Sequence, residues 1–160
     1  ALDDARVEIR IGDGLACVRE SGAQWDLIYL DLTDPIGPAE ALYTSTFYAD
    51  CKRALRDDGA LVLHIGSPFS HAGRVTSSVA TLRQLFRNVA PYFVHVPTYG
   101  AMWGFAVASD SLDPHSLNAA RVDAQLSERH IRHRQFYNGA THQAMLALPE
   151  YIRESLDRTL

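Results

Sequence analysis

Asp31 and Asp34 are the residues in this chain best placed to do chemistry. They follow Trp25-Asp26-Leu27-Ile28-Tyr29-Leu30, an apolar run with the length and composition of a buried strand. Both carboxylates therefore stand where a strand gives way to a loop. In open α/β sheets, ligands gather just outside the carboxyl ends of the strands. Pro35, Gly37 and Pro38 can continue neither strand nor helix, so this loop is stiff and held at the surface. No Lys or Arg lies within several residues, and the two acids are close enough to share one cationic ligand. The same residues also fit a plainer role, with Asp31 capping a turn and Asp34 forming an Asx-turn ahead of Pro35.

Other candidates carry less. Asp13, in Gly12-Asp13-Gly14, is either a cap for the helix that follows or a carboxylate for the amino group of a base or a ribose hydroxyl. Tyr99 and Trp103 flank a Gly-containing loop, where aromatics are more often packing residues than ligand contacts. His64 closes an apolar run beside the same crevice. His130 and His133 are the only close histidine pair and no Cys joins them, so no metal site is expected. No GxSxG run occurs and neither Cys17 nor Cys51 has a neighbouring His, which leaves nucleophilic hydrolysis without support.

Positioning these residues calls for strands alternating with helices. Residues 7–11 alternate apolar and charged side chains and predict a first strand, with Gly12-Asp13-Gly14 as its turn. A short helix through Leu15 and Val18 should end near Gly22. Thr44 or Ser45 caps a helix whose buried face is Phe47, Cys51, Ala54 and Leu55, with Gly59 as its stop. Ala60-Leu61-Val62-Leu63-His64-Ile65 predicts another buried strand, broken by Gly66-Ser67-Pro68. Val75, Val79, Leu82, Phe86 and Val89 fall on one helical stripe, with Pro91 closing it. Strands are expected over 92–96 and 103–108, a helix over 120–129, and a last helix opened by Pro149 through Tyr151, Ile152 and Leu156. Such alternation means a largely parallel sheet covered by helices. No GxGxxG or similar run is present, as if the chain entered such a sheet partway.

The totals are those of one globular domain: 160 residues, 47% hydrophobic, 21% charged and a formal net charge of -4. No apolar run approaches the roughly 20 residues of a membrane span. Asp3 and Asp4 do not suit the basic start of a signal peptide. Two distant cysteines without a CxxC point to a reduced, cytoplasmic setting. The acidic balance and the lack of a basic stripe argue against a nucleic-acid partner.

Taken together, these runs resemble spermidine synthases. The resemblance is carried by the strand into Gly12-Asp13-Gly14, by Asp31-Leu32-Thr33-Asp34-Pro35-Ile36-Gly37-Pro38-Ala39, and by Leu42-Tyr43 and Phe47-Tyr48. Val96-Pro97-Thr98-Tyr99, Phe136-Tyr137-Asn138 with His142, and Leu148-Pro149-Glu150-Tyr151 then follow in that family's order. The Asp31 run is specific, whereas Gly-Asp-Gly alone is not. The resemblance implies a Rossmann-like sheet of the class I methyltransferase type. It also implies transfer of the aminopropyl group of decarboxylated S-adenosylmethionine to a diamine such as putrescine, giving spermidine and methylthioadenosine. Asp31 would take the proton from the attacking amine, and Leu32, Thr33 and Asp34 would help bind it. Tyr99 would contact the polyamine, Asp13 and Gly14 the adenine edge, and Pro38 the nucleoside. His64 falls near a position where many relatives carry Gln. No metal or resident cofactor is implied, the partners being small polyamine and nucleoside substrates, with no nucleic acid and no membrane.

The family's N-terminal β-domain and first strands, with their Gly-rich loop, have no counterpart in this chain. Residues 1–160 are thus expected to be a single domain, the C-terminal part of the catalytic domain. The sheet would then lose strands, and an uncovered edge at 7–11 or a neighbour would favour a homo-oligomer. Two alternatives stand beside this reading: an S-adenosylmethionine-dependent methyltransferase on the same sheet, and a non-catalytic remnant that binds polyamine or a partner subunit.

Overall fold

Along Leu61-Val62-Leu63-His64-Ile65, alternate side chains point to opposite faces of a strand, and Leu61, Leu63 and Ile65 are completely enclosed. A computed structural model, describing residues 3–158, shows what encloses them. The strands are β1 (Trp25–Leu30), β2 (Leu55–Gly66), β3 (Asn88–Val96) and β4 (Ala101–Ser109), arranged β1-β2-β4-β3. β1 is parallel to β2, and β4 is antiparallel to both of its neighbours. Three of the four strands thus share one direction, and β1, β2 and β3 all end at the same edge of the sheet.

Helices α2 (Ser45–Ala54), α3 (Ala72–Leu85) and α6 (Glu150–Asp157) cover one face. Their contribution to the core is Phe47, Tyr48 and Cys51 from α2, Val75, Val79 and Leu82 from α3, and Ile152 and Leu156 from α6. Each fully buried side chain of this size stabilises the fold by about 1.5–3 kcal/mol. Thr44 caps α2 as expected, its hydroxyl accepting from Phe47 N. Helix α1 (Gly14–Glu20) is capped by Asp13 and packs on α2. Helices α4 (Ala119–Glu128) and α5 (Gly139–Leu146) lie together, with α5 against β3. The loop between them ends in Asn138, which forms a reciprocal capping box with Thr141. There Tyr137 O–H donates to His142 Nδ1 (2.8 Å), and His142 Nε2 donates to Pro114 O (2.9 Å), tying α5 to the turn after β4.

Four expectations change. Residues 7–11 form no strand: Ile9 is 63% and Ile11 100% exposed. A strand needs a neighbour for its N–H and C=O groups, and none of the described strands lies beside this segment. β1 is not a buried strand either. It is an edge strand covered on one face only, so Leu30 is enclosed while Leu27 (57%) and Tyr29 (56%) are exposed. α2 stops at Ala54, and Gly59 lies within β2, where the register of the β1–β2 pair shifts. α3 ends at Leu85 with Phe86 as its cap, so Val89 and Pro91 belong to β3, an edge strand on which a proline lacking its N–H is tolerated. The other face of the sheet forms a groove of about 830 Å³ between the strands and the α4–α5 pair, lined by Leu27, Tyr29, Val62, Tyr92, Phe105 and Val107.

Replacing Leu63 with Ala should lower unfolding stability by about 2–5 kcal/mol. Urea denaturation followed by circular dichroism would read this as an earlier midpoint at unchanged slope.

Candidate active site

The loop after β1 is held by its own backbone. Three successive carbonyls each receive a donor: Leu32 O from His64 Nε2 (2.8 Å), Thr33 O from the Tyr43 hydroxyl (2.5 Å), and Asp34 O from Ile36 N (2.8 Å). With the carbonyls tied inward, Asp31 and Asp34 are left exposed. The network also defines the state of His64. A carbonyl only accepts, so Nε2 carries the proton. Tyr43 gives its own proton to Thr33 O, so its oxygen is the acceptor facing His64 Nε2 at 3.0 Å. His64 Nδ1 is buried without a partner. His64 thus works on the loop rather than facing a ligand.

The two acids differ. Asp31 makes no hydrogen bond or ion pair among the described residues. Asp34, by contrast, accepts from Arg74 Nη1 at 2.8 Å. No Lys or Arg is near the pair in sequence, but Arg74, 40 residues on, is brought across by α3. The guanidinium holds the Asp34 carboxyl below its usual range, with His71 and His64 adding smaller effects in the same direction. Asp34 remains half-exposed at 52%, whereas Arg74 is only 17% exposed. Arg74 occupies the first turn of α3, which holds no acidic residue. A cation is disfavoured there by the helix dipole, so the carboxylate that offsets it comes from outside the helix.

Aromatic rings link this loop to the turn before β4. Trp103 packs on Tyr99 (4.7 Å between centroids), on His64 (6.3 Å) and on His71 (6.1 Å), and Tyr43 meets His64 edge-on at 6.0 Å. Tyr99 is thereby brought to the same end of the sheet as Asp31 and Asp34, and its ring is exposed. Trp103 joins the wall as the packing residue.

Asp13 and Gly14 stand elsewhere, at the start of α1. One Asp13 oxygen accepts from Leu15 N at 2.9 Å, the capping role. No hydrogen bond or ion pair joins Asp13, Gly14 or Pro38 to the Asp31 loop; Pro38 opens a 3-10 turn, Gly37–Tyr43, that leads on to Tyr43. The far end of α1 is fixed to α2 by Asp50, which accepts from Arg19 Nε (3.0 Å) and Arg53 Nη1 (2.6 Å), while Arg53 also donates to Arg19 O. Among the described residues, no three of His, Cys, Asp and Glu gather as a metal site.

This arrangement is the Rossmann-like sheet of class I methyltransferases. Human methyltransferase-like protein 13 shares the fold at 17% identity, with a TM-score of 0.51 over 98% of this chain and 60% of that one. Within that class the likeness narrows. The spermine/spermidine synthase domain matches residues 1–118, and the chain belongs to that family. The polyamine aminopropyltransferase of Nitrosomonas europaea is 45% identical over 156 residues, 98% of this chain and 48% of that protein. That of Sulfolobus acidocaldarius is 37% identical over 159 residues, 98% and 53% respectively. The spermidine synthase of Thermotoga maritima superimposes with a TM-score of 0.82 at 28% identity, covering 98% of this chain and 52% of that one. A spermidine synthase solved with the transition-state analogue AdoDATO reaches 0.87 at 29% identity, covering 98% and 53%. The chain thus spans about half the length of the relatives it matches.

Hydrogen bonds from Arg53 and then Arg19 hold the Asp50 carboxyl below its ordinary value. A depressed carboxylate stabilises the fold above its unfolded pKa of about 3.9, and that stability is lost as pH falls through the lower folded value. Thermal melts between about pH 7 and pH 2 should show Asp50→Asn less stable than wild type at the neutral end. The difference should shrink toward the acid end.

Proposed function

We propose that this chain carries the acceptor site of a polyamine aminopropyltransferase, transferring the aminopropyl group of decarboxylated S-adenosylmethionine to putrescine. The observation that carries the reading is Asp31: an exposed, unpartnered carboxylate on a loop whose next two carbonyls are bound by His64 and Tyr43. An alkyl ammonium, with a pKa of about 10 in water, is no nucleophile until it loses a proton. Asp31 accepts that proton. The free amine then attacks the methylene beside the sulfonium. A nitrogen–carbon bond forms as the carbon–sulfur bond breaks, and the electron pair goes to sulfur, which leaves as the neutral thioether of methylthioadenosine. The product is a protonated secondary amine, and Asp31 returns its proton to solvent. A thioether needs no acid to depart, so neither a metal nor a resident cofactor is required.

The remaining roles follow from position. Asp34, with the backbone of Leu32 and Thr33, holds the amine for in-line attack, and Tyr99 lies along the polyamine. Asp13, with one oxygen beyond its cap, and Gly14 hold the adenine edge; Pro38 packs on the nucleoside. The chain is read as the C-terminal part of the catalytic domain. No described helix is long and apolar enough to cross a membrane, and two free cysteines suit the cytoplasm. The unpaired edge of β1, with Trp25, Leu27 and Tyr29 exposed, supports association into a homo-oligomer. Sedimentation at increasing concentration would count against that part of the reading if the protein stays monomeric.

Incubation with decarboxylated S-adenosylmethionine and putrescine, followed by mass analysis, should yield spermidine and methylthioadenosine. S-adenosylmethionine in its place should yield no methylated amine. Asp31→Asn should lose at least about a hundredfold in turnover while binding methylthioadenosine nearly as wild type does. Retained turnover in that variant would remove Asp31 from the mechanism.

A further inference from the structure

Asp31 alone is a poor match for the proton it must take. In water a carboxylate is a weaker base than an alkyl amine by about six pH units, and a second carboxylate beside the amine would make the ammonium harder still to deprotonate. The structure supplies an opposing charge. Arg74 places its guanidinium 2.8 Å from Asp34 Oδ1, and this carboxylate is its only anionic partner among the described residues. The other side of the guanidinium meets no compensating group: Nε and Nη2 are buried without hydrogen-bond partners. Its other electrostatic neighbours are the Tyr43 and Tyr48 hydroxyls, both kept neutral by burial.

The fold makes room for this cation. Gly66 lies against the guanidinium with φ at +98°, and a Cβ there would stand 2.6 Å from Nη2 and 2.7 Å from Nε. Any other residue would be strained in its backbone and would push the arginine away. Arg74 also sits in the first turn of α3, where the helix dipole disfavours it. A positive charge kept in such a place, with two donors unmet, is held there at a cost to stability. Its one visible effect is on the acceptor site, whose two carboxylates now carry a single net negative charge.

We propose that Arg74 sets the protonation of the bound acceptor: its fixed positive charge beside Asp34 loosens the hold on the protonated amine and favours the neutral, nucleophilic form. The inference rests on the aminopropyl-transfer reading and names a regulator of that same site. Other groups acting on Asp34 are His71 and His64, with Tyr43 in range of both Asp34 and Asp31, and none of them supplies a permanent positive charge.

The test is Arg74→Gln, which can keep a donor toward Asp34 while removing the charge, with Arg74→Lys as the charge-keeping control. Calorimetric titration of the full chain with putrescine at neutral pH should show Arg74→Gln binding about tenfold more tightly and Arg74→Lys binding like wild type. Turnover at neutral pH should fall about tenfold in Arg74→Gln and recover as pH rises, the ionisation in its kcat profile moving up by about one pH unit. A purely structural arginine would give the opposite split, with weaker binding and lower turnover at every pH, and that result overturns the proposal. So does unchanged affinity in a cooperatively melting Arg74→Gln. Should this variant fail to melt cooperatively, Arg74→Met takes its place, since an unbranched chain still fits beneath Gly66. Absence of putrescine binding to any of the chains, wild type included, would sink the acceptor-site reading itself and the proposal with it.

Discussion

The site depends on a backbone constraint: the loop after β1 has no freedom to turn its acids inward. Leu32, Thr33 and Asp34 present their carbonyls to His64, Tyr43 and Ile36 in succession. Each hydrogen bond is worth only about 0.5–1.5 kcal/mol net. Together they determine a direction, because fixing successive peptide planes also fixes where the intervening side chains leave the backbone. Pro35 and Pro38 remove the dihedral freedom that a loop of this length would otherwise have. Ile36 N is the loop's own donor, while His64 and Tyr43 come from the end of β2 and from the turn entering α2, both continuous with the core through Ile65 and Phe47. The site is therefore rigid for the same reason that the sheet is.

That rigidity has an electrostatic counterpart. Asp34 and Arg74 lie on different elements and face each other only because β1 and β2 are parallel and α3 returns across them. A helix begun by His71, whose side chain gives no cap, and carrying an arginine in its first turn is poor local design. The carboxylate from the neighbouring loop corrects it. Local preference and tertiary context disagree here, and such disagreement tends to mark functional positions.

Much of the architecture was legible in the sequence, for physical reasons that can be named. The Thr44 cap, the Phe47–Cys51–Ala54 face and the Val75–Val79–Leu82 stripe are local patterns that report on one covering layer, and that layer formed as they indicate. Asp31 and Asp34 at a strand end were legible because strand termination and proline placement are also local. The errors share a cause. Whether residues 7–11 pair, whether both faces of β1 are covered, and whether Pro91 ends a helix or sits on an edge strand depend on neighbours distant in the chain. The Arg74 contact and the His64–Tyr43 brace were hidden for the same reason. α5 was missed because Gly139-Ala140-Thr141-His142 is a weak helix former, rescued by the Asn138 capping box.

The uncovered groove has a consequence for how the sheet opens. β2 and β4 are central, enclosed from the α2–α3 side and flanked by strands on both edges, whereas β1 has one partner strand and one bare face. Local opening therefore has a gradient, easiest at β1 and hardest at the β2–β4 ladder. Because the Asp31 loop is the continuation of β1, its brace to His64 and Tyr43 also pins the sheet's least protected strand. Whatever seats itself against that loop will slow the fraying of the whole edge.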